Sequence, residues 1–234
     1  MIQSSLFKRS ACEGLATGLL VAAVVGSGIM GERLCGGNAA LALLANTIAT
    51  GAVLAALIPA FSRFSGAHLN PAVSLSLAFR GLMVWREVPF YASAQFAGGL
   101  VGTILAHLMF GRSWYSISLH QRAGVPQLLS EFIATFGLLC VVWGSLKVRS
   151  TLARAVAVAS YIVAAYWFTA STSFANPAVT LARSITDSFS GIRPADVPGF
   201  MAAQLAGAVS ATFLFKWLDG AELADLAGER AAGG

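Results

Sequence analysis

The sequence predicts an all-α membrane protein: six transmembrane helices plus two re-entrant half-helices, arranged as an inverted repeat. Three observations carry this. The 234-residue chain is 57% hydrophobic and only 11% charged, whereas a soluble domain carries roughly 25% charged residues. Six nearly uncharged stretches mark candidate spans, since crossing ~30 Å of hydrocarbon takes about 20 helical residues. Two further apolar pieces, around 65–79 and 171–185, are too short to cross, and each contains Asn-Pro-Ala-Val.

The six spans are 11–30, 39–60, 88–110, 126–146, 155–170 and 197–215. The first follows Lys8 and Arg9 as a secretory leader would. It is longer than the apolar core of a leader and contains Glu13, so it is read as a retained span. Ten basic residues (Lys8, Arg9, Arg63, Arg80, Arg86, Lys147, Arg149, Arg154, Lys216, Arg230) fall on the side of the termini and five on the other. That bias predicts that both termini are cytoplasmic, and the cell (inner) membrane is the expected location. The expected organisation is a short cytoplasmic segment 1–9, a membrane unit 10–218 built of repeats 10–111 and 126–218, and a polar, mobile cytoplasmic tail 219–234.

The net charge of +5 is spread over loops, so no nucleic-acid face is expected. Cys12, Cys35 and Cys140 are odd in number and widely spaced. They suit packing rather than a disulfide framework or a metal site. No triad, paired carboxylates or phosphate-binding glycine loop occurs, so no enzyme, metal or cofactor is predicted. Gly18, Gly26, Gly98, Gly99, Gly102, Gly137 and Gly207 lie within spans, where small residues let helices approach closely. Trp85, Trp114 and Trp217 lie at span ends, as interfacial anchors do. His107 and His120 sit in no motif and are expected at surfaces.

Three landmarks recur in order. Glu13 with Thr17, Asn70-Pro71-Ala72-Val73 and Gln95-x-x-Gly98 are followed by Glu131 with Thr135, Asn176-Pro177-Ala178-Val179 and Gln204-x-x-Gly207. Each half has three spans, so the second half runs inverted. Inverted repeats with broken helices near the midplane are a transport architecture. Proline is at home in the first helical position, and asparagine before it is a preferred N-cap. Asn70 and Asn176 therefore each start a helix, of about half the membrane thickness for the second at ~1.5 Å per residue. The extended segments before them must be buried in protein or line water.

With "SGAHLNPAV" at 65–73, "ANPAV" at 175–179, the paired glutamates and the Gln-x-x-Gly pairs, nearly the whole chain resembles the aquaporin, or major intrinsic protein, family. The resemblance implies passive flow of water or small neutral solutes (glycerol, urea-like molecules, metalloid acids such as arsenite) and a homotetramer in the lipid bilayer, one pore per subunit. It implies that two helix N-termini and the amides of Asn70 and Asn176 orient passing molecules and exclude protons. It gives Glu13 and Glu131 the task of bonding the re-entrant loops, with a proton relay as the competing reading. His68 is expected to hold its loop rather than to gate.

One position departs from the family. Water- and glycerol-conducting members usually carry arginine directly after the second Asn-Pro-Ala, and here that residue is Val179. Offsets from the two asparagines assign the selectivity filter to Thr50, Ala164, Ser173 and Val179, a wide and weakly polar set. Arg183 lies one turn beyond Val179 on the same face. Either it lines the outer vestibule and partly replaces the missing charge, or it pairs with Asp187. The rival classes are a proton-coupled secondary transporter on a similar scaffold, with Glu13 and Glu131 as its sites, and a non-conducting structural membrane protein.

Overall fold

The computed structural model describes residues 5–232, and side chains as far as 220. Helices α1 (Leu6–Leu34), α2 (Ala39–Ser65), α4 (Val88–Met109), α5 (Val125–Gly144), α6 (Thr151–Phe168) and α8 (Val197–Ala232) are the long ones. Six helices are long and apolar enough to cross a membrane. Two short helices, α3 (Pro71–Phe79) and α7 (Pro177–Ala182), start at the two Asn-Pro pairs. A 3-10 turn, Arg183–Ile185, extends α7 by one turn. An even number of spans puts Ser5 and the end of α8 on one side, here the terminal side.

Packing follows the repeat. In the first half α1 lies against α2 and α4, and in the second α5 lies against α6 and α8. The halves join through α2 with α6. Each half-helix also packs on the last helix of the other half, α3 on α8 and α7 on α4. Glycines set the tightest contact: a Cβ on Gly98 would meet the Gly14 carbonyl oxygen at 2.0 Å, and one on Gly102 the Gly18 oxygen at 2.2 Å. Gly207 makes the matching approach to Phe132 in the second half.

One span is longer than expected. Helix α2 continues past Pro59 to Ser65, where Gly66 caps it in the left-handed conformation (φ 95°). Helix α8 runs to Ala232, into the segment read as a polar tail. The segment "AELADLAGERAA" is rich in strong helix formers, and just before it the salt bridge of Arg80 with Asp219 ties α8 to the end of α3. Trp85, Trp114 and Trp217 are all exposed at helix or loop ends.

Candidate solute pathway

Each half-helix begins with the same cap. The Asn70 Oδ1 accepts from the Ala72 N–H at 2.9 Å. The Asn176 Oδ1 accepts from Ala178 at 2.9 Å and Val179 at 3.3 Å. The amide nitrogens then reach across the repeat: Asn70 Nδ2 donates to the Ala175 carbonyl at 2.8 Å, and Asn176 Nδ2 to the Leu69 carbonyl at 2.7 Å. A side-chain amide has two N–H donors, so one on each asparagine remains for the lumen that both residues line.

The loops that deliver these asparagines are strained. Ala67, Leu69, Thr172, Ser173 and Ala175 all have φ between 49° and 61°, a region costing roughly 1–2 kcal/mol per non-glycine residue. Two buried carboxylates hold them. Glu13 accepts from the His68 N–H (3.0 Å), the Leu69 N–H (2.7 Å), the Ser65 hydroxyl (2.6 Å) and Gln95 Nε2 (2.8 Å). Glu131 accepts from the Phe174 and Ala175 N–H groups (both 2.9 Å) and Gln204 Nε2 (2.6 Å). Gln95 and Gln204 also donate to Ser74 and Thr180, one turn inside each half-helix. His68 Nδ1 pairs with the Ser74 hydroxyl at 2.9 Å, and its ring lies 5.1 Å from that of Tyr91. Glu13, Glu131 and His68 thus meet their own loops.

One cavity of about 1180 Å³ runs along these features. Its lining repeats every four residues: Thr50, Leu54, Ile58 and Ser62 on α2, and Arg154, Val158, Ile162 and Tyr166 on α6. Residues four apart share a helix face. Arg9, Arg63 and Arg154 lie at its terminal end, and Thr50, Tyr166, Ser173, Val179 and Arg183 at the other.

Ala164 is not among them. It is exposed on the outer face of α6, because two residues from Tyr166 is about 200° of rotation at 3.6 residues per turn. The bulky, polar Tyr166 stands where a small residue was expected. Its hydroxyl lies 3.2 Å from Thr50 Oγ1. The four-residue stripe of α6 was the sequence signal that counting offsets missed.

Arg183 is 1% exposed and lines the cavity. Its Nε donates to the Ser190 carbonyl, and its Cζ sits 3.4 Å from the Phe174 ring centroid. Its contacts do not include the Asp187 carboxylate, which instead accepts from the Leu119 N–H. His107, expected at a surface, is buried, bonding Ser113 O and Thr186 Oγ1, both at 2.8 Å.

Sequence reading missed Arg122. From the loop between α4 and α5 it donates to the carbonyls of Gly191 (2.8 Å) and Ser171 (3.0 Å), with its Cζ 4.9 Å from the Phe174 ring. Burial pulls its guanidinium down to about 10, opposed by the nearby Glu131 carboxylate, so it stays cationic at neutral pH. Nothing in its surrounding sequence marks it, since its partners, mostly backbone carbonyls, lie far along the chain.

The family model described as Major intrinsic protein matches residues 1–154 and 145–232. The chain belongs to the major intrinsic protein family. Aquaglyceroporin AqpS of Rhizobium meliloti (strain 1021) is 53% identical over 218 residues, covering 93% of each chain. Aquaporin NIP2-1 of Oryza sativa subsp. japonica is 29% identical over 201 residues, 80% of this chain and 64% of that one. The X-ray structure of the aquaglyceroporin from Plasmodium falciparum shares the fold, with a TM-score of 0.72 at 21% identity over 95% of this chain and 100% of that one. This major intrinsic protein is thus a multi-pass membrane protein whose two half-helices meet inside a lined cavity.

Proposed function

We propose that this protein is a passive channel for water and small neutral solutes, glycerol and neutral metalloid acids among them. The observation that carries the reading is the pair of asparagine caps crossed at the centre of a single cavity. Two helix N-termini there concentrate partial positive charge. That field opposes cations, hydronium included. Each asparagine keeps one N–H donor for a passing oxygen, and the extended loops offer carbonyl acceptors on either side. A molecule oriented by both amides is poorly placed to relay a proton. Glu13 and Glu131 serve as loop supports, since every contact they make is with a donor that shapes a loop or half-helix. We assign no catalytic step.

The test is flux in proteoliposomes with water, glycerol, urea and arsenite. Flux above that of empty vesicles, abolished by no ionophore and driven only by the solute gradient, is the expected result. Accumulation against a gradient when a proton gradient is imposed would instead establish the coupled transporter. Replacing Asn176 by alanine removes a cap worth ~1 kcal/mol and a donor from the lumen. Vesicles carrying N176A should leak protons faster than wild type, as read by an internal pH dye. Equal leak rates would show that the amide has no part in exclusion.

We further propose that the terminal side is cytoplasmic, in the inner membrane, and that four copies assemble, each with its own pore. The excess of basic residues on that side supports the orientation.

A further inference from the structure

The outer end of the lumen holds a donor and an acceptor that the family motif does not supply. Thr50 Oγ1 lies 2.8 Å from the Asn46 carbonyl, to which it donates its only hydrogen. In the 3.2 Å contact between Thr50 and Tyr166 the Tyr166 hydroxyl must then be the donor. The phenolic oxygen keeps its acceptor capacity. The Arg183 guanidinium lines the same cavity as this hydroxyl. Arg183 is buried, lines the cavity, and its Nη1 has no hydrogen-bond partner. A buried, unpartnered donor on a cation has a free energy cost unless something fills it.

Arg183 cannot swing freely. Its Nε is committed to the Ser190 carbonyl. Ser190 ends a buried ladder of hydroxyls: its Oγ lies 3.2 Å from Ser188 Oγ, which lies 3.0 Å from Thr186 Oγ1, which lies 2.8 Å from His107 Nε2. Arg122 grips the same parts from outside. It bonds Gly191, the residue after Ser190, and Ser171 at the start of the re-entrant loop, and it contacts the Phe174 ring on which Arg183 rests.

We propose that Arg183 and Tyr166 form the solute-selecting pair of the outer constriction, and that Arg122 is the residue that positions Arg183. A hydroxyl group both accepts and donates. It can take a hydrogen bond from the guanidinium and give one to the phenolic oxygen in the same passage. The pair therefore favours neutral hydroxylated solutes, polyols or the hydroxides of metalloids. The guanidinium also narrows the lumen against larger ones. This assignment rests on the channel reading above.

The experiment is stopped-flow light scattering on proteoliposomes with water, glycerol and sorbitol. Tyr166→Phe preserves shape and deletes the hydroxyl, and should lower the glycerol-to-water permeability ratio roughly fivefold, as expected for one hydrogen bond. Arg183→Ala should lower the glycerol-to-sorbitol ratio roughly tenfold, as the larger polyol gains entry. Arg122→Ala should shift that ratio in the same direction, and Arg122→Lys should restore part of it. If Arg122 acts through Arg183, the double variant R122A/R183A shifts the ratio no further than R183A alone. Additive shifts would remove the positioning role. Wild-type ratios in Y166F and R183A, at wild-type water flux, would overturn the selecting pair and leave the channel reading intact. No flux of any solute through the wild type would overturn the channel reading and this assignment with it.

Discussion

Replacing Glu131 by glutamine is expected to destabilise the protein by roughly 1–6 kcal/mol and to suppress solute flux, out of proportion to a change of one atom. All three of its contacts are donors: the Phe174 and Ala175 N–H groups and Gln204 Nε2. A carboxylate meets them because it is acceptor-only; an amide turns one of its two oxygens into a donor. Glutamine thus leaves one or two of these buried donors unpaired, at ~1–3 kcal/mol each. It also loosens a loop in which Thr172, Ser173 and Ala175 hold positive φ. Residues in such conformations persist only when their surroundings over-determine them. Once released, the loop relaxes and the Ala175 carbonyl leaves Asn70 Nδ2, so damage crosses to the other half of the lumen. Glu131→Ala leaves all three donors unpaired and should give little folded protein. Thermal unfolding in detergent, followed by size-exclusion recovery, measures the first effect, and glycerol flux the second. An E131Q protein that unfolds and conducts like wild type would show that the carboxylate does not hold the loop.

Much of this arrangement was legible in the residues. Asn-Pro fixes a helix start by local chemistry alone, so both half-helices begin where the sequence places them, at Pro71 and Pro177. The recurrence of Glu, Asn and Gln in one order identified groups that do meet in space, although 43 residues separate Glu131 from Phe174. What failed depended on rotation about a helix axis. Between the N-terminus of α6 and its pore-facing end, an error of two residues exchanges the lumen for the outer face, which is how Ala164 displaced Tyr166. Arg183 was read as a vestibule candidate and does line the cavity, but its partners Phe174 and Ser190 belong to loops whose path no periodicity reveals. Arg122 was invisible for the same reason. Its role is made by carbonyls, which every residue carries.

Gly98→Ala should be the most damaging single methyl in the protein. The added Cβ would stand 2.0 Å from the Gly14 carbonyl oxygen, 2.7 Å from its carbon and 2.9 Å from its Cα. All three atoms are backbone, so no side chain can turn aside; α1 and α4 must part. Overpacking of a close-packed contact costs typically ~1–3 kcal/mol, occasionally more. In lipid, helix association leans on such van der Waals contact rather than on a hydrophobic driving force. The shift would also reach the lumen by two routes. Glu13, next to Gly14 on α1, holds the first re-entrant loop. Gly99, next to Gly98 on α4, packs against Ala178 and Ala182 of α7, with its would-be Cβ only 3.2 Å from each. Moving either helix therefore displaces a half-helix and its asparagine. The control is Gly26→Ala on α1, where the nearest atom is the Phe110 ring edge at 3.4 Å. G26A should stay monodisperse in detergent and conduct like wild type. G98A should unfold at lower temperature with reduced flux, and Gly98→Val should not yield folded protein. Equal stability of G98A and G26A would mean that the α1–α4 contact is looser than its glycines indicate, and would remove the mechanical link from that seam to the asparagines.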